Sequence, residues 1–250
     1  MHNRLMRIIA LGALALLLVG AGAIQNRASA AVGKVNMADF IAACASDDNV
    51  TQEPGFEDGK VTPKAFCECV SGKLEENKAT LFRSPHQVVL GNPKGNVTMV
   101  EFFDYNCGFC KRAMADMLDL LKTDPNLKFV LKEFPVLGEG SVQAAHVAVA
   151  ARMQDPTGKK YLDFHQKLLG SRGQADRARA LAVAKEVGFD MARIEKDMSS
   201  DEVKKTIEES MRLADALGVN GTPSYVVGGE VVVGAVGLDA LKEKIAAERK

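Results

Sequence analysis

The stretch Val100–Arg112, VEFFDYNCGFCKR, runs nearly apolar and then sets Cys107 and Cys110 three residues apart, immediately before a helical pattern. Such a pair is a structural clip, half of a metal site or a reactive dithiol, and its surroundings bear on which. Just upstream, VTMVEFF (Val97–Phe103) is too continuously apolar for a strand with one wet face, so it reads as a central strand buried on both sides. Downstream, Cys110, Met114, Met117, Leu118 and Leu121 recur at helical spacing until Asp124-Pro125-Asn126 ends the pattern. A C-x-x-C at a strand-to-helix junction puts Cys107 at the helix N-terminus, where unpaired backbone N–H groups and the positive end of the dipole favour an anion. Cys107 is then the attacking thiolate. Cys110, one turn further in, is the resolving thiol that closes the disulfide. A static disulfide is the bland alternative. A zinc site would need two further ligands, and Cys67-x-Cys69 with His86 offers an unusual spacing in a different part of the chain.

Working outward, LKFVLKEFP is a second strand stopped by Pro135. From Ser141 to Leu217 no strand signal appears. Amphipathic stretches separated by Asp155-Pro156, Ser171 to Gly173 and Gly188 make an all-helical insertion over about 140–217. Period-two alternation returns in PSYVVGGEVVVGAV around Gly228-Gly229 as a hairpin, and an amphipathic helix from Leu238 to Lys250 closes a domain spanning 97–250. On the N-terminal side, Arg83 to Asn96 contains Pro85, Gly91, Pro93 and Gly95 and reads as a linker holding a short extended piece, His86 to Leu90. Residues 31–82 form a small helical module, with helical patterns at Met37 to Cys44 and Pro63 to Asn77 flanking the polar stretch Asp47 to Gly59. Its three cysteines suggest one bridge, from Cys44 to Cys67 or Cys69, stapling a unit too small for a core of its own. One cysteine is left over, for intermolecular pairing, a second reactive thiol or plain burial.

The chain has 250 residues, 47% of them hydrophobic, enough to fold without disulfides. Arg4 and Arg7 precede the apolar run Ile8 to Ile24, and Ala28-Ser29-Ala30 supplies a small-residue cleavage site, so residues 1–30 read as a signal peptide removed after about Ala30. An uncleaved anchor is the alternative. Loss of Arg4, Arg7 and Arg27 reduces 32 basic residues to 29 against 32 acidic ones, a net charge of −3. That leaves no basic footprint for nucleic acid. Export to an oxidising compartment, the periplasm, makes dithiol chemistry useful.

Together VEFFDYNCGFCKR, the helical insertion with YLDFHQKLLG (Tyr161–Gly170) and GVNGTPSYVVGG (Gly218–Gly229) resemble the DsbA-type branch of exported thiol-disulfide oxidoreductases, within the thioredoxin superfamily. The resemblance implies an α/β, thioredoxin-like fold with an all-helical insertion, preceded here by the small helical module. It implies a cis Pro223 facing the dithiol, and backbone around Thr222 that pairs with an extended substrate strand. Gly108 and Phe109, between the cysteines, join that substrate-contacting set. Glu101, six residues before Cys107, stands where the family keeps a buried acid, and a carboxylate inside an apolar strand is costly without a task. Its expected task is to exchange a proton with Cys110, with Lys132 on the neighbouring strand as its partner.

Gly108-Phe109 stands where the strongest oxidases have Pro-His, so one stabiliser of the thiolate is missing. Thr222 resembles members that also isomerise or reduce. The implied substrates are unfolded or extended secreted proteins, with a membrane redox partner to reset the dithiol. Beyond the redox-active Cys107–Cys110 disulfide, no cofactor and no metal is expected. The alternatives are an isomerase or reductase kept reduced by a membrane partner, a reading that a homo-oligomer through the N-terminal module would strengthen, and a chaperone-like binding module. His146 and His165 read as core or boundary residues, and Asp201 to Met211 as a solvated helix face.

Overall fold

The Val97–Phe103 run forms the second strand of a five-stranded sheet in a computed structural model, which describes residues 76–249 together with Gly72. The signal segment 1–30, and Cys44, Cys67 and Cys69 of the N-terminal module, lie outside the described residues. The strands are β1 (Val88–Gly91), β2 (Val97–Phe103), β3 (Leu127–Glu133), β4 (Ser224–Val227) and β5 (Glu230–Val233). Helix α1 (Gly108–Thr123) joins β2 to β3. Between β3 and β4 lie α2 (Glu139–Arg152), α3 (Lys159–Leu169), α4 (Arg177–Val187), α5 (Met191–Asp197) and α6 (Asp201–Ala216), and α7 (Leu238–Glu248) follows β5. Thr80–Asp215 and Val219–Arg249 make up one compact unit.

Sheet order is β1-β3-β2-β4-β5, with β2 and β3 parallel and the other pairs antiparallel. The parallel pair at the centre explains why VTMVEFF and LKFVLKE are apolar on both faces: helices cover each side. On one face Met99, Phe103, Leu127, Phe129, Leu131 and Tyr225 join α1 residues Cys110, Met117 and Leu120 in a continuous core. Leu241 and Ile245 of α7 join the same core. Helix α2 is nearly all small and apolar from Ala144 to Ala151, and is buried along that length except at His146, which lets α4 and α5 approach it closely. No helix among the described residues is long and apolar enough to cross a membrane.

Two expectations are corrected. The extended piece read at His86 to Leu90 within 83–96 is an edge strand, Val88–Gly91, so this part of the linker belongs to the sheet and pairs antiparallel with β3. Four residues mark an extended segment but do not say which strand it joins. Gly91 itself sits at a φ of +69°, and a Cβ there would lie 2.6 Å from the Leu127 carbonyl oxygen, so the turn leaving β1 needs glycine.

The second correction concerns Lys132, which is not the partner of Glu101. Glu101 stands beside Leu131 in the register of β2 and β3, so Lys132 beside Phe102 points to the opposite face. There the buried Lys132 ammonium donates to Glu209 of α6 at 3.0 Å and to the Thr80 carbonyl at 3.1 Å.

Candidate active site

Cys107 is the N-cap of α1, with Gly108 and Phe109 opening the helix beyond it. Its sulfur accepts the Cys110 backbone N–H at 3.4 Å, and its own backbone N–H donates to the Asp104 carbonyl at 3.1 Å. Both cysteines are free thiols, Cys110 fully buried and Cys107 at 5% exposure. Phe109 is 57% exposed, with the Arg112 guanidinium 4.3 Å above its ring. Facing this turn, the Thr222–Pro223 peptide bond is cis, and the Cys107 thiol donates to the Thr222 carbonyl at 3.2 Å. Pro223 is held by its own carbonyl, which accepts from Gly234 beyond the hairpin at 2.8 Å. The α1 N-terminus and the β4 entry, 115 residues apart in sequence, thus meet at one sulfur.

Glu101 is buried on the α1 side of β2, flanked by Leu131 and Tyr225. Burial, and then the charge of Asp116 on α1, push its carboxyl up to about 8. Burial also holds the Cys110 thiol well above the ordinary range, and Glu101 pushes it in the same direction, while the Asp104 backbone N–H pulls it back. Glu101 and Cys110 are therefore coupled: a charge on either disfavours a charge on the other. Of the residues singled out in the sequence, the structure places Cys107, Cys110, Glu101, Thr222 and Pro223 together, with Gly108 and Phe109 at the rim. Lys132 stands apart.

Residues 98–246 match the family of DSBA-like thioredoxin domains. The chain belongs to this family. A solved thioredoxin-like oxidoreductase from Silicibacter pomeroyi DSS-3 is 47% identical, with a TM-score of 0.66 over 69% of this chain and 98% of that one. The thiol-disulfide exchange protein alpha-DsbA2 from Wolbachia pipientis is 31% identical, with a TM-score of 0.65 over 71% of this chain and 94% of its own. Disulfide bond formation protein D of Bacillus subtilis is 27% identical over 177 residues, 66% of this chain and 78% of that protein. Na(+)/H(+) antiporters also match. The chain spans 24% of the length of NhaA 1 from Salinispora arenicola, 26% identical over 159 residues that are 63% of this chain.

In this DSBA-like domain, three polar residues beside the dithiol had escaped the reading of the sequence. Asp104 is buried and accepts four hydrogen bonds: from Asn106 N–H (2.7 Å) and the Ser141 hydroxyl (2.8 Å) on one oxygen, and from Val136 N–H (2.9 Å) and Leu137 N–H (3.0 Å) on the other. Asn106 exchanges two bonds with the Ala175 backbone, at 2.8 and 2.9 Å, and donates to Ser141 at 2.9 Å. The signal was there, since Asp104 and Asn106 interrupt an apolar run, but nothing in the sequence says what they meet.

Next to them lies a buried polar chain. Tyr105 hydroxyl contacts Tyr161 hydroxyl at 3.1 Å and His165 Nδ1 at 3.3 Å, and Tyr161 donates to Glu133 at 2.8 Å. Burial pushes His165 down to about 3, so it is neutral at pH 7, and burial raises Glu133 well above its ordinary value. His165 is thus a core residue, as expected from its apolar helical setting.

Proposed function

We propose that this protein is an exported thiol-disulfide oxidoreductase that forms disulfides in secreted proteins by exchange at Cys107 and Cys110. The observation that carries this is the Cys107 sulfur, capping α1 and hydrogen-bonded to the carbonyl that precedes a cis proline. A helix N-terminus favours sulfur as the anion, and the Thr222 backbone beside it suits an extended peptide adding as a strand. In the oxidised enzyme a substrate thiolate attacks Cys107, the Cys107–Cys110 bond breaks, and Cys110 leaves with the electron pair. Burial makes a bare Cys110 thiolate costly, so it takes a proton from Glu101, whose carboxyl titrates near neutrality. A second substrate thiolate attacks the substrate sulfur of the mixed disulfide and releases Cys107 as thiolate. The substrate loses two electrons, and the enzyme dithiol gains them. Reoxidation by a membrane partner completes the cycle, with no cofactor beyond the disulfide.

Residues 1–30, with their basic, apolar and small-residue order, support export to the periplasm. The N-terminal module with Cys44, Cys67 and Cys69 would supply any self-association. An isomerase or reductase is the second reading, favoured by Gly108-Phe109 between the cysteines, which provides no imidazole to stabilise the Cys107 thiolate, and by Thr222.

The deciding measurement is the equilibrium between the dithiol and glutathione in mature protein carrying Cys44→Ser, Cys67→Ser and Cys69→Ser. A potential between about −180 and −120 mV is expected of a disulfide donor or shuffler. One near about −270 mV would assign a reductant instead. No exchange at all would overturn both.

A further inference from the structure

We propose that a cavity away from the dithiol, where the chain enters β1, is a binding site for one internal water that bridges Gln87 and Arg152 and holds the edge strand to the helical insertion. The cavity is bounded by Gln87, β3, α2, α3 and α6, and offers about 10 Å³ to a water-sized sphere, which is room for a single water. Two of the residues lining it carry buried polar atoms with no hydrogen-bond partner among the described residues: Gln87 Oε1 and Arg152 Nε. Both side chains are fixed by their remaining atoms. Gln87, 8% exposed, donates from Nε2 to the Phe82 carbonyl at 3.1 Å, which sets its amide and leaves Oε1 over. Arg152 donates from one terminal nitrogen to the Pro85 carbonyl at 3.1 Å and from the other to Glu202 at 2.7 Å, which leaves Nε–H over. An unmet acceptor and an unmet donor on one cavity each carry a desolvation cost, and a water between them removes both.

The same atoms decide what the occupant is. A cation is opposed by the Arg152 guanidinium and an anion by Gln87 Oε1, whereas water accepts from Nε–H, donates to Oε1 and keeps a second hydrogen. Acceptors for that hydrogen line the cavity too. They are the Glu133 carboxyl and the hydroxyl of Thr206, which spends its own hydrogen on the Glu202 carbonyl at 2.8 Å. The bridge matters because β1 is an edge strand of four residues with one neighbour in the sheet. Its entry is held by Lys128 on the Phe82 carbonyl at 2.6 Å, by Arg152 on the Pro85 carbonyl, and through the water by Gln87.

A high-resolution crystal structure of the purified protein is expected to show one water within about 3.2 Å of both Gln87 Oε1 and Arg152 Nε. In solution, the Arg152 Nε–H should give a ROESY cross-peak to water with the sign of a dipolar contact and not of exchange. Gln87→Leu removes the acceptor, while the Phe82 carbonyl keeps Lys128. It should abolish the cross-peak, raise the unfolding constant about fivefold or more, and speed hydrogen exchange of the β1 amides. An ion at the site, no water there in the crystal, or no dipolar cross-peak from wild type would overturn the proposal. A cross-peak that survives in Gln87→Leu would do the same, because the water would not then rest on Gln87. So would a Gln87→Leu protein at least as stable as wild type, since Oε1 would then have been an orphan whose removal costs nothing. Should that variant not fold, the crystal structure and the cross-peak of wild type decide.

Discussion

Glu101 stands in mid-strand with Leu131 on one side and Tyr225 on the other, and its carboxyl, pushed up to about 8 by burial and Asp116, is largely protonated at pH 7 in the folded protein. In an unfolded chain the same group titrates near 4.5. The folded state therefore binds the proton more tightly, and the stability this gives is complete below about pH 4.5 and lost as pH rises through 8. Glu101→Gln, which is neutral at every pH, should remove that loss. In urea unfolding at pH 5 and pH 8.5, the variant should gain on the order of 3 kcal/mol over wild type between the two conditions. An equal difference at both would mean that Glu101 is not a buried acid of raised affinity for protons. Resolution of the mixed disulfide should also lose its inflection near pH 8 in this variant, because Cys110 then leaves without its proton donor.

At the level of elements, β3 carries a second buried charge on the face away from Glu101. Lys132 is pushed down by burial, against the pull of Glu209 at 3.0 Å. Removing either member of such a pair leaves the other uncompensated, and the cost is larger where the survivor is more deeply buried: the Lys132 side chain is 1% exposed and that of Glu209 15%, so an unpaired Glu209 can still reach water. Glu209→Ala should thus cost about 3 kcal/mol in urea unfolding, and Lys132→Met less than about 1.5 kcal/mol. The reverse order would show that Lys132 is satisfied by the Thr80 carbonyl alone. On α3, His165 gives a prediction of opposite sign to Glu101. Held neutral, with its value near 3, it contributes stability that is present above about pH 6.5 and lost as pH falls through 3. His165→Gln should flatten the fall in Tm between pH 6.5 and pH 3.5, and an unchanged slope would place acid lability elsewhere.

These same residues mark how far the sequence could be read. The order strand, helix, strand, helices, hairpin, helix was legible because each element is long or strongly periodic, Cys107 and Cys110 because their spacing is itself the signal, and Pro223 through the family resemblance of GVNGTPSYVVGG. The partner of Glu101 was not legible, since a shift of one residue in the β2–β3 register moves Lys132 from one face to the other. Strand β1 was legible as the extended piece His86 to Leu90, but four residues could not show that it pairs with β3. Asp104 and Asn106 were hidden for another reason: Val136, Leu137, Ser141 and Ala175 come to them only through the packing of the helical insertion.

For the molecule as a whole, redox potential and stability are two sides of one cycle. The preference of the folded protein for dithiol over disulfide, relative to the unfolded chain, equals the difference in folding free energy between reduced and oxidised forms, about 1.4 kcal/mol for each 30 mV. Any bond that the reduced site makes and the disulfide cannot make raises the oxidising power. Here the Cys107 sulfur accepts the Cys110 backbone N–H at 3.4 Å, a bond that strengthens as the reduced sulfur takes on negative charge. Burial works on Cys110 in the opposite way, by opposing its thiolate and not its thiol, so the neutral reduced form is not penalised. Gly108-Phe109 adds no imidazole, which limits the gain. A disulfide donor should therefore melt higher when reduced, by about 2–4 °C for each kcal/mol in a chain of this size. Calorimetry of the mature chain carrying Cys44→Ser, Cys67→Ser and Cys69→Ser, with Cys107 and Cys110 reduced or oxidised, reads this directly. A reduced form that melts several degrees above the oxidised one supports disulfide donation. The opposite order would mean that the fold stabilises its own disulfide, and would turn the direction of exchange toward reduction.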